Sequence, residues 1–515
     1  MNSNFRLFLK NYWILLAVIA AKFVLQYVLV NPYYELHRDE FLHLDLAKHL
    51  AFGFISVPPL TSVFSKIILL LGGSIFWVRF FPALFGALTI MFAWLITETL
   101  GGRTLSKIIL SLALLFSVLL RLNILFQPNS FDIMIWTAIF WCLVNYVKTE
   151  NEKWLWLLAL CVSLGMYNKY SVAFMVAGLF AGLLLTEQRK IFLKPIFWKA
   201  AALALILFLP NIVWQVMHDF PVLNHMRVLK ETQLDNNSVA GFLQSQVKIF
   251  AGSLPVVITA LIGLFSYREF RSYRFAGIAF LVTMLIFAVF KSKDYYALGL
   301  FPPVIAFGAV YLGNITKRRL KYSLVSAFVI FNLILFASIF RLLMPVMSPE
   351  QILRNSEMFE KMGMLRWEDG KNHPLPQDFA DMTGWKEMAD KAYEAYMMVP
   401  GNELENTIVH CDNYGQTGAV NYYNRGRMKE AFALTTDYIY WITEVKPIKN
   451  VILVGDLPEP EILKLFREYR QTGKVENTYS REYGTGIYLF TGADSSFTKL
   501  YYGLAEKRKR ELDIF

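Results

Sequence analysis

The sequence predicts an α-helical polytopic membrane protein of about eleven transmembrane helices, followed by a soluble α/β domain on the outer side of the membrane. Three observations predict it. The 515-residue chain is 56% hydrophobic and 16% aromatic, with mean hydropathy +0.40, whereas soluble domains sit near ~45–50% apolar. Its apolar residues fall into runs that suit a bilayer core of roughly 30 Å, which needs about 20 such residues per helix. The net charge of +11 is unevenly placed, because from Met344 onward about 21 basic residues face 26 acidic ones. Excess Lys and Arg on so apolar a chain marks cytoplasmic loops and excludes nucleic acid as the partner.

Taken in order, the apolar runs predict helices at residues 12–30, 77–100, 105–122, 131–147, 154–167, 172–185, 197–217, 247–265, 275–290, 296–312 and 322–343. Residues 154–167 and 172–185 are short for a span and meet at Asn168, Lys169, Tyr170 and Ser171, as in a tight outer hairpin. The first run lacks a small-residue cleavage site after it and reads as a retained helix. Cys142, Cys161 and Cys411 have neither disulfide nor zinc spacing.

Every second loop is basic. Arg6 and Lys10 are followed by Arg103 and Lys107, by Lys148 and Lys153, and by Arg189, Lys190 and Lys194. Arg268, Arg271 and Arg274 come next, then Lys317, Arg318, Arg319 and Lys321. The positive-inside rule puts these loops in the cytoplasm. An odd helix count then places the chain from Met344 outside, in a cytoplasmic (inner) membrane. Domain boundaries follow at 1–343, a transmembrane module with an outer loop at 31–76, and 344–515, an extracytoplasmic α/β domain. In that domain helix-like stretches (385–398 and 461–472) alternate with strand-like ones (407–410, 450–454 and 486–490). The charge run at 506–515 reads as a solvated helix end.

The opposite loops hold the acids: Glu35, Asp39, Glu40, Asp45, Asp132, Asp219, Glu231, Asp235 and Asp294. In the longest of these loops, residues 60–71 are too short to span and read as a helix lying in the interface. His37-Arg38-Asp39-Glu40 is the sharpest feature. An Asp-Glu pair at the mouth of a helix bundle is costly to desolvate. It holds a divalent cation, acts as a general base, or is simply a solvated loop pair. Val57-Pro58-Pro59-Leu60 sets an extended turn or a plain helix start. Asp132 is either an acid favoured by a helix macrodipole or a second site carboxylate. Lys169 and Lys293 either snorkel or neutralise a lipid-linked phosphate, and Lys22 with Gln26 invites the same question, snorkelling being the simpler reading for Lys22. His218, His225, Arg227 and Lys230 add donors on another outer loop.

Residues 37–60, HRDEFLHLDLAKHLAFGFISVPPL, resemble the first outer loop of the family 39-type membrane glycosyltransferases. That group belongs to the GT-C class, with the protein O-mannosyltransferases and the aminoarabinose lipid A transferase. Its pattern is R-D-E, a helix, then G-Y/F-x-x-x-P-P-L. PNSFD (128–132), GMYNKYS (165–171), LPNIVWQVMHDFP (209–221), KDYY (293–296) and NYGQTGAVNYY (413–423) also match, in order and on the outer face. Val57 stands where the common variant has His or Gln before Pro-Pro. The resemblance implies transfer of a sugar from a polyprenyl-phosphate donor, usually with inversion, to a lipid, polymer or protein acceptor, with membrane lipids as surroundings. It implies Asp39 as general base, with Glu40 and Asp132 shaping the site. A divalent cation would sit on Asp39 and Glu40 where a member uses one. Lys169, Lys293 and Arg38 would meet the donor phosphate, and His37, Tyr295 and Tyr296 would contact substrate. On this reading both lysines share one outer cavity with Asp39. Two readings from other classes compete. A secondary transporter would show midplane ionisable groups and inverted repeats. A receptor with an outer sensing domain would leave the Asp-Glu pair without a role.

Overall fold

Each of the eleven apolar runs carries a helix in the computed structural model, which describes residues 3–232 and 234–512. Residues 513–515 of the terminal charge run, and the side chains of Arg6 and Lys10, lie outside the described residues. Among the described residues seven helices are long and apolar enough to cross a membrane: Asn11–Val28, Ile75–Thr99, Pro128–Thr149, Pro195–Met217, Arg268–Val289, Asp294–Gly313 and Arg318–Leu343. Two bent pairs bring the number to nine, Val172–Leu184 with Glu187–Leu193 and Val239–Ile249 with Leu254–Ser266, bent by 107° and 106°. The other two predicted spans, Thr104–Leu115 and Lys153–Asn168, fall short of the about 20 residues that a span needs. The chain is thus a mostly helical, multi-pass membrane protein.

Three predicted elements differ in detail. The helix expected at 105–122 stops at Leu115 and resumes at Leu119–Leu122. The one expected at 247–265 breaks at residues 250–253, where Gly252 and Ser253 interrupt the apolar run and the Ser253 hydroxyl donates to Ala113 O (2.6 Å). The tail helix expected at 461–472 is only the turn Pro460–Leu463, followed by a strand at Glu468–Lys474. Alternation of polar side chains on an edge strand resembles a helix face when no partner strand is known.

The chain divides into two compact units, with one break between Met344 and Pro345 and with residues 30–77 and 214–227 grouped with the tail. The first is Met1–Leu29, Val78–Val213 and Val228–Met344. Its helices pack through small residues, as membrane helices do where backbones must approach closely. Gly178 faces Thr283 and Ala279, Gly182 faces the Phe275 carbonyl, and Gly308 faces the Val256 carbonyl. Lys22 does not snorkel. It is buried, and its Nζ donates to Gln26 Oε1 (3.0 Å), whose amide donates to Leu120 O (2.9 Å). Gly86 leaves room for the lysine stem.

The second unit joins Val30–Trp77, Trp214–Arg227 and Pro345–Phe515. Its sheet contains β1 (Thr407–Cys411), β2 (Ala431–Phe432), β3 (Asn450–Gly455), β4 (Glu468–Lys474) and β5 (Gly486–Thr491), in the order β2-β1-β3-β5-β4. The first three are parallel and β5 runs antiparallel to β3 and β4. Every residue of β3 is buried, as expected of a central strand covered on both faces. Helix Leu60–Leu70 is amphipathic in the reverse sense. Val63, Ile67 and Leu70 are exposed, while Thr61, Ser62 and Ser65 point inward. The Ser62 and Ser65 hydroxyls bond backward to the Pro59 and Thr61 carbonyls (2.7 and 3.0 Å). The run expected as outer loop around His218 and His225 is instead helical from Pro221 to Thr232, and His218 stacks on Trp214 with ring centroids 4.1 Å apart.

Candidate active site

The sequence-predicted residues form two clusters, one in each unit. In the second unit, helix Arg38–Leu46 starts at His37, whose Nδ1 accepts the Asp39 N–H (3.2 Å). Glu40 Oε2 accepts the His37 N–H (2.6 Å), which completes a capping box. Glu40 is buried in that bond. Consecutive residues on a helix diverge by about 100°, so Asp39 and Glu40 do not converge on one point. Among the described residues no group of three or more His, Cys, Asp or Glu side chains could hold a metal ion. The donor set does not fit the expected cation on Asp39 and Glu40, and Glu40 is a helix cap.

Asp39 projects from the same first turn, about 100° around the helix from Glu40. Its side chain is 36% exposed, and its Oδ1 accepts the Tyr414 hydroxyl at 2.8 Å. Tyr414 opens helix Tyr414–Tyr423, whose capping box is built by Asn413 and Gln416. The two helices approach closely because Gly415 and Gly418 lack side chains. A Cβ on Gly418 would lie 2.7 Å from Phe41 Cβ, and one on Gly415 would lie 2.6 Å from Arg38 Cγ. The Arg38 guanidinium sits 4.2 Å from the centre of the Tyr414 ring, a cation–π contact, and its Nε is buried with no hydrogen-bond partner.

Charges converge behind this pair. His37 Nε2 lies 3.8 Å from Asp381 Oδ2, and Asp381 Oδ1 pairs with Arg481 Nη1 at 3.2 Å. Burial pushes the Asp39 carboxyl up, but His37, His43, the Tyr414 hydrogen bond and Arg38 together hold it below its ordinary 3.8. Burial pushes His43 down to about 4, so that imidazole is neutral at physiological pH. Asp39 is therefore an ionised carboxylate, positioned by its neighbours and still partly open. This is what a general base requires.

In the first unit, Asp132 lies past the first turn of helix Pro128–Thr149, where the macrodipole has little effect. Its Oδ1 accepts the Trp136 indole N–H (2.9 Å) and its Oδ2 accepts the Ser171 hydroxyl (3.2 Å). It joins its helix to the turn that carries Lys169. Lys169 Nζ donates to Asn129 Oδ1 (2.8 Å) and lies 4.4 and 5.0 Å from the ring centres of Tyr296 and Tyr295. Lys293 Nζ lies 6.0 Å from the same Tyr295 ring. The two lysines are thus in one cluster, sharing the Tyr295 ring. Burial pushes Lys169 down to about 8, with Lys293 adding to the fall and Asp132 opposing it. Two cations this close and partly desolvated favour an anion between them.

Residues 56–214 match the dolichyl-phosphate-mannose-protein mannosyltransferase family. Among solved structures, ArnT from Cupriavidus metallidurans bound to undecaprenyl phosphate gives a TM-score of 0.63 at 13% identity, covering 93% of this chain and 98% of that one. Its apo state gives 0.64 at the same identity and coverage. The apo oligosaccharyltransferase of Archaeoglobus fulgidus gives 0.50 at 11% identity, over 86% of this chain and 70% of its own. The chain shares the GT-C fold of ArnT over nearly its full length. No curated protein matches it.

The family match within this GT-C fold takes in Asp132 and Lys169 and stops short of Asp39, Lys293 and the whole tail. Sequence reasoning named His37, Arg38, Asp39, Asp132, Lys169, Lys293, Tyr295 and Tyr296, and the structure groups them as described. It gave no role to Tyr414, Asp381, Arg481 or His43. The signal for Tyr414 was present, because NYGQTGAVNYY carries the small residues at helical spacing that a close helix contact needs. Asp381 and Arg481 lie in stretches with no motif.

Proposed function

We propose that the chain is a glycosyltransferase of the outer membrane face, moving a sugar from a polyprenyl-phosphate donor to a lipid, polymer or protein acceptor. The observation that carries this reading is Asp39: an ionised, half-open carboxylate held by Tyr414 and flanked by His37, in a chain whose fold follows that of ArnT over nearly its full length. ArnT's capture with undecaprenyl phosphate makes a lipid-linked phosphate the natural donor for this fold. Asp39 takes the proton from the acceptor's nucleophile. The nucleophile bonds to the anomeric carbon, the bond from that carbon to the phosphate oxygen breaks with inversion, and the polyprenyl phosphate leaves with the electron pair. Lys169 and Lys293 stabilise the departing phosphate as charge develops on it, and Tyr295 and Tyr296 fix the lysines. Arg38 and His37 hold the base side of the reaction, and Glu40 keeps the helix start in place.

The protein is read as a multi-pass inner-membrane enzyme with its N-terminus in the cytoplasm and the segment after Met344 outside. The test is Asp39→Asn, which keeps shape but cannot accept a proton at neutral pH. A positioned base contributes about 10²–10⁴-fold, so glycosyl transfer in membranes at matched protein level is expected to fall by that factor. Lipid and glycan mass spectrometry of cells with and without the protein identifies the donor that accumulates and the acceptor that loses its sugar. Near wild-type transfer by Asp39→Asn would overturn the assignment of the base.

A further inference from the structure

Strand β2 is only two residues long. It pairs with Val409 and His410 and leaves the first half of β1 uncovered on that side. A cavity of about 330 Å³ lies there, bounded by Thr407, Ile408, Phe432, Trp441 and Tyr502. Its volume falls at the lower end of the range for small-ligand sites. Trp441 is fixed in place. His49 stacks on it at 4.0 Å and 11°, and Tyr438 meets its edge at 4.8 Å. The Tyr502 hydroxyl accepts the Lys446 N–H (3.2 Å), which orients that ring.

The rim charges are paired. Glu405 pairs with Lys429 (3.6 Å), Glu444 with Lys446 (2.7 Å) and Glu430 with Lys48 (2.9 Å). Exposed pairs of this kind are weak, so they exchange partners readily with hydroxyl groups. A balanced rim offers neither a phosphate nor a cation any advantage. Rigid aromatic faces beside several donors and acceptors match a ligand with one apolar face and a girdle of hydroxyls, which is a pyranose ring.

The cavity is also joined to the candidate base. Helix Arg38–Leu46 has Asp39 at its start. Near its end Asp45 Oδ2 accepts from the Tyr438 hydroxyl (2.9 Å), and just beyond it Lys48 and His49 meet Glu430 (2.9 and 3.6 Å). At 1.5 Å per residue, Asp39 and Leu46 are about 10 Å apart along the helix.

We propose that this cavity binds a neutral sugar unit of the acceptor, remote from the unit that receives the new residue, so that the acceptor is a glycan of several units. The proposal rests on the glycosyltransferase reading. Binding energy from a remote part of a substrate can position its reacting end.

The test uses the full-length protein in detergent, titrated with neutral trisaccharides (maltotriose, mannotriose, chitotriose), with trigalacturonate, and with inorganic phosphate. At least one neutral trisaccharide is expected to bind with a Kd of about 1 mM or tighter. Trp441→Ala is expected to weaken it tenfold or more, and Asp39→Asn to bind as the parent protein does. Thr443→Arg, at an exposed lining position, fills the cavity without touching the core and decides the matter if Trp441→Ala does not fold. The proposal fails if no neutral trisaccharide binds, if trigalacturonate or phosphate binds in its place, or if Thr443→Arg binds normally. Binding without transfer by the parent protein would sink the enzymatic reading, whereas transfer without binding would sink the cavity assignment alone.

Discussion

Replacing Tyr414 by Phe removes one hydroxyl and leaves the ring under Arg38. The lost bond is a 2.8 Å contact from a neutral donor to a carboxylate. Hydrogen bonds to charged groups contribute about 1.5–3 kcal/mol when buried. Asp39 is 36% exposed, so water replaces part of the lost bond, and solvent screening reduces the loss to about 1 kcal/mol. That corresponds to roughly a fivefold fall in transfer at neutral pH. The Tyr414 bond is one of the forces that hold the Asp39 carboxyl low, so the acid limb of the activity profile is expected to move to higher pH. Stability follows the same sign. A carboxyl depressed in the folded protein contributes stability that is present above its ordinary 3.8 and is lost as pH falls through its folded value. The variant's deficit in thermal unfolding should therefore be present at neutral pH and close in acid. The assay is kcat against pH in detergent, with unfolding measured in the same buffers. An unshifted acid limb with unchanged kcat would show that Tyr414 does not position the base.

Lys169→Met is expected to raise the donor KM below about pH 8, where the parent's lysine is charged, and to converge on the parent above it, while Lys169→Arg retains the charge. Because Lys169 is pushed down to about 8, donor affinity should fall as pH rises through that value. A parent KM that stays flat from about pH 7 to about pH 9 would refute the phosphate role. Gly418→Ala forces a Cβ to within 2.7 Å of Phe41 Cβ and 2.8 Å of its carbonyl carbon. It should lower stability by about 1–3 kcal/mol, read as Tm, and an unchanged Tm would mean that the helices part freely. A reporter active only outside the cytoplasm, fused after residue 400, should give signal; a cytoplasmic readout would overturn the orientation.

The positions of the helices were legible because lipid demands long apolar runs, and the helix expected at 131–147 is found at Pro128–Thr149. Breaks within runs were not legible. The bend at 250–253 depends on the Ser253 hydroxyl finding the Ala113 carbonyl, a partner 140 residues away. The reversed helix Leu60–Leu70 was visible as an apolar stretch, but which face turned inward was not. At the candidate site, residue types were readable and their bonds were not. Glu40 looked like a second site carboxylate, yet the helix start claims it, as the S/T-x-x-E pattern does elsewhere with a serine where His37 stands. Lys22 looked like an interfacial cation until Gly86 and Gln26 were known to be its neighbours. The glycines after Tyr414 signalled a close helix contact, but no local pattern names a distant aspartate as the partner of its hydroxyl.

The unit that holds Asp39 is assembled from three stretches of chain, and 375 residues separate Asp39 from Tyr414. At roughly 5–20 residues per second, a ribosome needs about 20–75 s to travel between them. Throughout that interval the helix that carries Asp39 has been made, but Tyr414, which holds its carboxylate, has not. On the proposed reading, a nascent or prematurely terminated chain inserts its early helices without a competent base, and a donor lipid already in the membrane meets no partly built catalyst.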